Sequence, residues 1–268
     1  IHALRLPESC RVDQRVPKKL LLENGAATAA DKRLITEAIE EIQWVAVLKP
    51  NTIGVPDYRD TLREYLEIAV LTVTVRGFVK PASHSRLAEL VHRAVPYPVL
   101  LLLIEGQSLT LSLAHKRWAQ NEAAKVVLDG SPISVTVSVT VSASLSEGHA
   151  AGSSHPDPAA VADAENAFIQ SLSVTRQPQA TLHALYQGWV DCVQALLAAR
   201  LTGSYQTPTT PEQAAKRRQA LADCERLEAE VSRLRAQAAK EKQMARQVEL
   251  NLTLKRVQAE LAAARRQL

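Results

Sequence analysis

The most regular hydrophobic pattern in this chain lies in its last 58 residues, 211–268. Apolar residues recur there at alternating spacings of four and three, which is the rhythm of a coiled-coil seam. The first run is Cys224, Leu227, Val231, Leu234, Ala238 and Ala245, and the second is Leu250, Leu254, Val257, Leu261, Ala264 and Leu268. The two runs differ in phase, and the change falls in the mostly polar segment 240–251. The pattern predicts either one coiled-coil helix whose partner changes at that point, or a helical hairpin that folds back there.

Residues 1–147 alternate between helical and strand periodicity, which predicts a small mixed domain of the α+β class. Thr28, with Asp31 three residues later, is a helix start typical of a capping box. The apolar residues that follow at helical spacing are Leu34, Ile35, Ala38, Ile39 and Ile42. A second helix is expected from Ser83 or Ser85. Strands are predicted at 44–55, broken by a turn at Lys49-Pro50-Asn51, and at 66–75, 98–105, 108–115, 124–128 and 133–141. The continuous apolar strand 98–105 is expected to be buried on both faces. Segment 6–23 is predicted to be an extended arm or first strand.

Two stretches of turn-forming residues divide the rest of the chain. Residues 148–158 are rich in Gly, Ser, His and Pro and are predicted to be a linker. Residues 159–201 have helical periodicity and predict a helical segment. Residues 202–210 form a second predicted linker, and Pro211 then opens the coiled coil of residues 211–268 at a position where helices tolerate proline.

Charge and cysteine content bear on nucleic-acid binding and on cellular location. The formal net charge is +4, and residues 211–268 hold 13 Lys+Arg against 8 Asp+Glu, so the tail carries the whole excess. The charges of the tail alternate in sign, which is typical of a solvated helix surface rather than a dense nucleic-acid-binding face. Three widely spaced cysteines without a CxxC pair favour reduced thiols and a cytoplasmic location. No apolar stretch is long enough to predict a membrane span.

One group of acidic residues is a candidate for metal-dependent catalysis. The acidic residues Asp57, Asp60, Glu64 and Glu67 precede a predicted strand, as metal-binding carboxylates of restriction-like nucleases do. However, Glu67 is followed by Ile68-Ala69 instead of an acid-x-Lys pattern, so the metal-and-base arrangement is incomplete. Phosphate-binding glycine loops and zinc-protease motifs are also missing from the sequence. We therefore expect no enzyme active site and no cofactor, with an unconventional metal-dependent nuclease as a remaining alternative.

A few basic residues are candidates for nucleic-acid contact. Lys116 and Arg117 end a predicted strand, where their side chains could meet phosphate from a rigid edge. Lys18, Lys19 and Lys49 could form a small basic site if the N-terminal arm packs beside the following strands. Together with the net-positive tail, these residues support an alternative hypothesis of direct DNA binding.

Several short motifs occur in a recognisable order. They are Val16-Pro17-Lys18-Lys19, Ile42-x-Trp44, Leu48-x-Pro50-x-Thr52-Ile53, Glu67-Ile68-x-Val70, Val95-Pro96-Tyr97-Pro98, Ala114-x-Lys116, Glu241-Lys242-Gln243 and Val248-Glu249-Leu250-Asn251. In this order the chain resembles an uncharacterised bacterial domain-of-unknown-function family. The resemblance implies a place in phage-defence or restriction-like gene clusters beside a Swi/Snf-type helicase and a DNA methyltransferase, and it brings no catalytic residues.

The main hypothesis, from the seam pattern and the resemblance together, is a non-enzymatic adaptor. Its C-terminal seam would assemble with a helicase or methyltransferase, or with another copy of the chain. Apolar seam residues should be buried at the interface, and polar residues at the change of phase should fix its register. The predicted interface residues are Leu227, Val231, Leu234, Glu249, Asn251, Leu254, Val257 and Leu261.

Overall fold

The computed structural model describes residues 1–120, 122, 125–138 and 157–268. Within them the strands are β1 (Arg11–Arg15), β2 (Ile39–Leu48), β3 (Tyr58–Arg59), β4 (Glu64–Tyr65), β5 (Ile68–Val75), β6 (Val99–Glu105), β7 (Ser108–Leu113), β8 (Lys116–Trp118), β9 (Val126–Leu128) and β10 (Ile133–Ser138). The α-helices are α1 (Lys18–Asn24), α2 (Ala29–Ala38), α3 (Pro50–Ile53), α4 (Pro81–Ala94), α5 (Pro158–Ser171), α6 (Leu182–Thr202), α7 (Pro211–Lys240) and α8 (Met244–Arg265). The predicted strand positions 139–141 and most of the predicted linker 148–158 lie outside the described residues.

Six strands form one sheet in the order β1-β2-β5-β6-β7-β10. Neighbouring strands are antiparallel except β5 and β6, which are parallel and are joined by α4. A parallel pair requires such a crossover, because its second strand starts at the same end of the sheet as the first. Residues Val99–Leu103 of β6 are all buried, which confirms the prediction that this apolar run is covered on both faces.

Helices α1, α2 and α4 pack with the sheet into one hydrophobic core. This core is mainly Leu, Val, Ile and Ala, as expected for a chain with 4% aromatic residues. Gly25, at the end of α1, allows a close approach to α4, since a Cβ atom there would lie 2.6 Å from the carbonyl oxygen of Leu90. The buried members of this hydrophobic core are Leu21, Ala26, Ile35, Ala38, Ile39, Ile42, Ala69, Leu71, Val73, Val75, Leu87, Ala88, Leu90, Val91, Val99, Leu101 and Leu103.

Some element boundaries differ from those that the sequence predicts. The Thr28 cap is confirmed, because its hydroxyl oxygen accepts a hydrogen bond from the backbone N–H of Asp31 at 3.1 Å. The helix that follows ends at Ala38, whose carbonyl accepts from the N–H of Arg76 at 2.7 Å, so that Ile39 and Ile42 belong to β2 instead. The predicted extended arm contains both β1 and the helix α1. β2 ends at Leu48, where the predicted turn begins, and the helix Pro50–Ile53 follows instead of a continuation of the strand.

Contacts divide the chain into two compact units, Ile1–His149 with Ile169–Val193, and Ala150–Phe168 with Gln194–Leu268. The N-terminal half of α6 therefore belongs to the unit that contains the sheet, whereas the sequence predicts a separate helical segment over residues 159–201. The Tyr186 hydroxyl explains the difference. It donates to the carbonyl of Val99 at 2.7 Å and accepts from the N–H of Ala114 at 2.8 Å, so it joins α6 to strand ends.

The second unit contains its own polar and aromatic contacts. Arg200 on α6 pairs with Glu165 on α5 at 2.6 Å, and the rings of Phe168 and Tyr205 pack edge to face at 6.4 Å. Helices α7 and α8 pack against each other along their length. Among the described helices of both units, none combines the length and the apolar character that a membrane span requires.

A buried ion pair joins α2 to α4. Asp31 is 5% exposed, and its two carboxylate oxygens accept from Arg86 at 2.9 Å each. The hydrogen bonds from this guanidinium, opposed by burial and assisted by Thr28, lower the pKa of Asp31 to about 2. Bidentate pairs of this kind fix geometry as well as charge, so the pair sets how α4 lies against α2.

Replacing Arg86 with Gln should lower the free energy of unfolding at neutral pH by about 2–3 kcal/mol, since it leaves a buried carboxylate without its cation. The folded-state pKa of Asp31 lies below the value of about 3.9 in an unfolded chain, so the stabilisation is complete above about pH 4 and is lost as the pH falls toward 2. Urea denaturation of wild type and variant should therefore converge over that range. Arg93→Gln, which removes a more exposed pair with Glu89, is the matched control, and a difference that does not change with pH would contradict the prediction.

Lys116 is the second buried charge that fixes α4. Its side chain is buried, and its ammonium group donates to the carbonyls of His92 and Val95 at the C-terminal end of that helix. Burial lowers the pKa of Lys116 to about 7. The lysine therefore supplies the donors that the last turn of a helix lacks.

The stability contributed by Lys116 should increase with pH. Between pH 7 and about pH 10.4 the unfolded chain holds a proton that the folded lysine releases, so the free energy of unfolding rises over this range. Lys116→Met removes this titration. The difference in stability between wild type and variant, measured by chemical denaturation, should shift in favour of wild type from pH 7 to pH 10. The exposed Lys125→Met serves as control, and a flat difference for Lys116→Met would show that the ammonium keeps its proton.

Candidate functional site

The C-terminal tail is a helical hairpin formed by α7 and α8. The helix breaks within Glu241-Lys242-Gln243, one of the motifs that carries the family resemblance. Glu241 leaves the helical conformation, and its carboxylate accepts from the N–H groups of Lys242 at 2.8 Å and Gln243 at 2.9 Å. These hydrogen bonds satisfy N–H groups at the start of α8 that would otherwise have no partner. The break coincides with the predicted change of phase, so the hairpin is the correct choice between the two predicted arrangements.

The two apolar runs pack on each other within the same chain. Leu227, Val231 and Leu234 of α7 form a buried cluster with Val257 of α8, and Leu250, Leu254, Leu261 and Ala264 pack against it. At the open end of the hairpin, Arg265 pairs with Glu228 at 2.8 Å. Six residues of the predicted partner interface are buried or partly buried in the hairpin. The six are Leu227, Val231, Leu234, Leu254, Val257 and Leu261.

The outer face of α8 carries large apolar side chains that the packing of the hairpin leaves uncovered. Met244, Val248 and Leu252 are 77%, 52% and 63% exposed. They are spaced four residues apart and so lie along one side of the helix; this set is called the α8 stripe below. The remaining two predicted interface residues, Glu249 and Asn251, are exposed beside it. The sequence pattern already contained this stripe, but only the pairing of α7 with α8 shows which face is free.

The segment that carries the α8 stripe has a net positive charge, although one of its cations, Arg256, lies 3.9 Å from Glu260. Residues 240–256 contain five Lys+Arg against two Asp+Glu, a balance of +3. The basic residues are Lys240, Lys242, Arg246, Lys255 and Arg256, and the acidic ones are Glu241 and Glu249. An apolar stripe with this border suits a groove whose rim is acidic.

The five basic residues predicted to contact nucleic acid do not form one patch. The side chain of Lys116 is buried, and its ammonium group donates to helix carbonyls. Lys18 donates to the carbonyls of Thr36 and Ile39. Each of the other three lies near a carboxylate. Lys19 pairs with Glu23 at 3.5 Å, Lys49 with Glu67 at 2.7 Å, and Arg117 with Asp129 at 3.6 Å.

The predicted acidic cluster is likewise divided among local contacts. Glu67 pairs with Lys49, and Glu64 pairs with Arg59 at 2.8 Å. Asp60 accepts from the Tyr58 hydroxyl and from two backbone N–H groups of its own turn, and these hydrogen bonds lower its pKa. Asp57 is exposed in the preceding loop. In the parts of the chain that the structure describes, no three His, Cys, Asp or Glu side chains are placed to hold a metal ion.

A cluster of histidine and tyrosine rings was not foreseen from the sequence. His183 stacks on Tyr58 with a centroid distance of 4.8 Å, and it meets Tyr65 edge to face at 4.9 Å. His115 lies 5.5 Å from His183 and 5.3 Å from Tyr186. These rings come from three segments that are distant in sequence, residues 58–65, His115 and residues 183–186, so no local spacing could have revealed the cluster.

The hydrogen bonds of this cluster define the state of His115. Gln187 uses its amide nitrogen to donate to Asp191 at 2.9 Å, so its oxygen accepts from Nε2 of His115 at 3.0 Å. Nδ1 of His115 then accepts from the hydroxyl of Tyr65 at 2.5 Å. Burial lowers the pKa of His115 to about 4, with a smaller contribution from His183, and burial raises the pKa of Tyr65. At neutral pH both groups are uncharged, and their hydrogen bonds join the N-terminal half of α6 to β4 within the sheet-containing unit.

A known protein family matches this chain over nearly all of the elements described above. The chain matches the family model described as a domain of unknown function, DUF4391, over residues 4–261. Neither the curated proteins nor the solved structures gave a match. The family match extends from the residues before β1 to the last turns of α8. Because it covers nearly the whole chain, this protein belongs to the DUF4391 family.

Proposed function

We propose that this protein is a non-enzymatic adaptor subunit of a DNA-directed bacterial defence complex, and that it holds its partner through the α8 stripe. The observation that supports the proposal most directly is the exposure of Met244, Val248 and Leu252 on one side of a helix whose other side is covered. Large apolar side chains aligned in this way are typical of a helix that docks in a groove of another protein. The family resemblance supplies the context, namely a helicase or a DNA methyltransferase of the same system.

The charges around the stripe favour a different protein over a second copy of this chain. If two α8 helices met through the same face, the basic residues of segment 240–256 would face each other and repel. A partner with an acidic rim would gain from the same charges. We therefore infer that the partner surface is an apolar groove bordered by Asp and Glu.

The hairpin is suited to this role because its stability does not depend on the partner. Its seam is already covered by its own residues, so the outer face stays helical before binding, and little conformational entropy is lost on docking. Burying three aliphatic side chains contributes about 1.5–3 kcal/mol each before the cost of association. The stripe therefore acts as the centre of an interface whose remaining area comes from its charged border.

Replacing both Val248 and Leu252 with Gln should weaken partner binding by about 2 kcal/mol or more, roughly thirty-fold in Kd. The measurement is affinity capture of the helicase and methyltransferase by tagged full-length protein, from cells carrying the native gene neighbourhood. Glutamine favours helix, so circular dichroism should show unchanged helical content in the variant. Binding should also weaken at high salt, because the charged border is exposed.

Two controls separate docking from folding. Leu20→Gln changes an apolar residue that is 48% exposed on α1 and should leave capture unchanged. Leu234→Ala removes a buried seam residue and should lower the stability of the hairpin by about 2–5 kcal/mol. If wild type captures neither enzyme, the adaptor role is wrong; if capture survives Val248→Gln/Leu252→Gln, another surface carries it.

A further inference from the structure

The connection between β5 and α4, residues 76–80, carries an exposed aromatic residue with a cation two positions before it and another two positions after it. Phe78 is 85% exposed, the highest exposure among the large apolar residues that the structure describes. Arg76 and Lys80, two residues before and after it, are exposed as well. Neither of these two cations has a carboxylate within ion-pair distance among the described residues. This Arg76-Phe78-Lys80 group is called the crossover triplet below.

The backbone on both sides of Phe78 is fixed, so its exposure follows from the fold. The N–H of Arg76 donates to the carbonyl of Ala38 at 2.7 Å. Gly77 has a φ of +65°, a conformation that other residues rarely adopt. On the other side, the N–H of Val79 donates to the carboxylate of Glu105 at 2.6 Å, and the Val79 side chain packs on the core. With Val79 turned inward, the ring of Phe78 is held outward.

The charge around the crossover triplet is positive after its neighbours are counted. Lys18 lies close by. Its ammonium donates to the carbonyls of Thr36 and Ile39, on either side of Ala38, and the carbonyl of Ala38 accepts from the N–H of Arg76. Glu40 partly offsets Lys18, and Glu41 pairs with Arg15 at 3.5 Å. Glu105 is held by the Val79 N–H and lies 3.9 Å from His84. The four cations Arg15, Lys18, Arg76 and Lys80 against the three carboxylates Glu40, Glu41 and Glu105 leave a balance of +1.

We propose that the crossover triplet binds single-stranded nucleic acid, with one base stacked on Phe78 and flanking phosphates held by Arg76 and Lys80. An exposed ring with cations on both sides is the combination that sequence-tolerant single-strand binding uses, since stacking holds the base and the cations follow the backbone. In a duplex the base faces are covered by neighbouring bases, so the ring has no surface to stack on. The site is separate from the α8 stripe and uses none of its residues.

The test is fluorescence anisotropy of a labelled twenty-nucleotide oligothymidine with the full-length protein over a series of NaCl concentrations. Phe78→Ala should weaken binding roughly ten-fold or more without changing its salt dependence, because it removes stacking and no charge. Arg76→Gln/Lys80→Gln should reduce the slope of log K against log salt by roughly 1.4, which corresponds to two single-strand phosphate contacts. Phe78→Trp should retain binding, and its added indole should be quenched by the oligonucleotide.

Matched variants show whether these effects belong to the site. Leu62→Ala removes another exposed apolar residue and should bind as wild type does. Lys216→Gln/Arg218→Gln removes two exposed cations from α7 and should leave the slope unchanged. The proposal is overturned if the wild type does not bind oligothymidine, if Phe78→Ala binds as tightly as wild type, or if both double variants lower the slope equally. A loss of protein capture by Phe78→Ala with intact oligothymidine binding would identify the triplet as a protein contact instead.

Discussion

The parallel pairing of β5 with β6 is the constraint on which the sheet-containing unit depends. It obliges the chain to cross the sheet between these strands, and α4 is the helix that makes the crossing. Two buried polar contacts hold α4 in place, the Asp31–Arg86 pair to α2 and the Lys116 ammonium at the C-terminal end. The core under α4, the position of β6 between two strands and the exposed connection at residues 76–80 all follow from this one crossover.

Lysines whose ammonium groups donate to helix carbonyls explain why a count of basic residues misjudges the surface. Lys116 and Lys18 both donate to carbonyls at the C-terminal ends of helices, where the backbone lacks donors. Such lysines stabilise helix ends and are not available to a phosphate. Cations without an acidic neighbour remain available to a phosphate. Arg76 and Lys80 are two such cations, and the sequence pattern did not single them out.

The two proposed surfaces lie on different units and would divide the work of the proposed adaptor between them. The α8 stripe offers apolar side chains with a basic border, which suits a protein groove. The crossover triplet offers one aromatic ring and two cations, which suits a separated nucleic-acid strand. A protein with both could keep an enzyme near the strand on which that enzyme acts, without chemistry of its own. The histidine and tyrosine cluster instead joins the N-terminal half of α6 to β4, through the hydrogen bonds of His115 with Gln187 and Tyr65.

Local periodicity determined much of this structure from the sequence alone. The buried strand β6, the alternating start of β10, the Thr28 cap and the two-phase seam of the tail depend on residues a few positions apart, so their patterns are visible in one dimension. Only the tertiary structure decided which surface covers that seam, that α2 ends at Ala38, and that Lys116 is buried. These outcomes depend on contacts between residues distant in the chain, such as the closure of α8 on α7 or the hydrogen bond from Arg76 to Ala38. The energy of such contacts depends on which elements meet, and no local spacing records that choice.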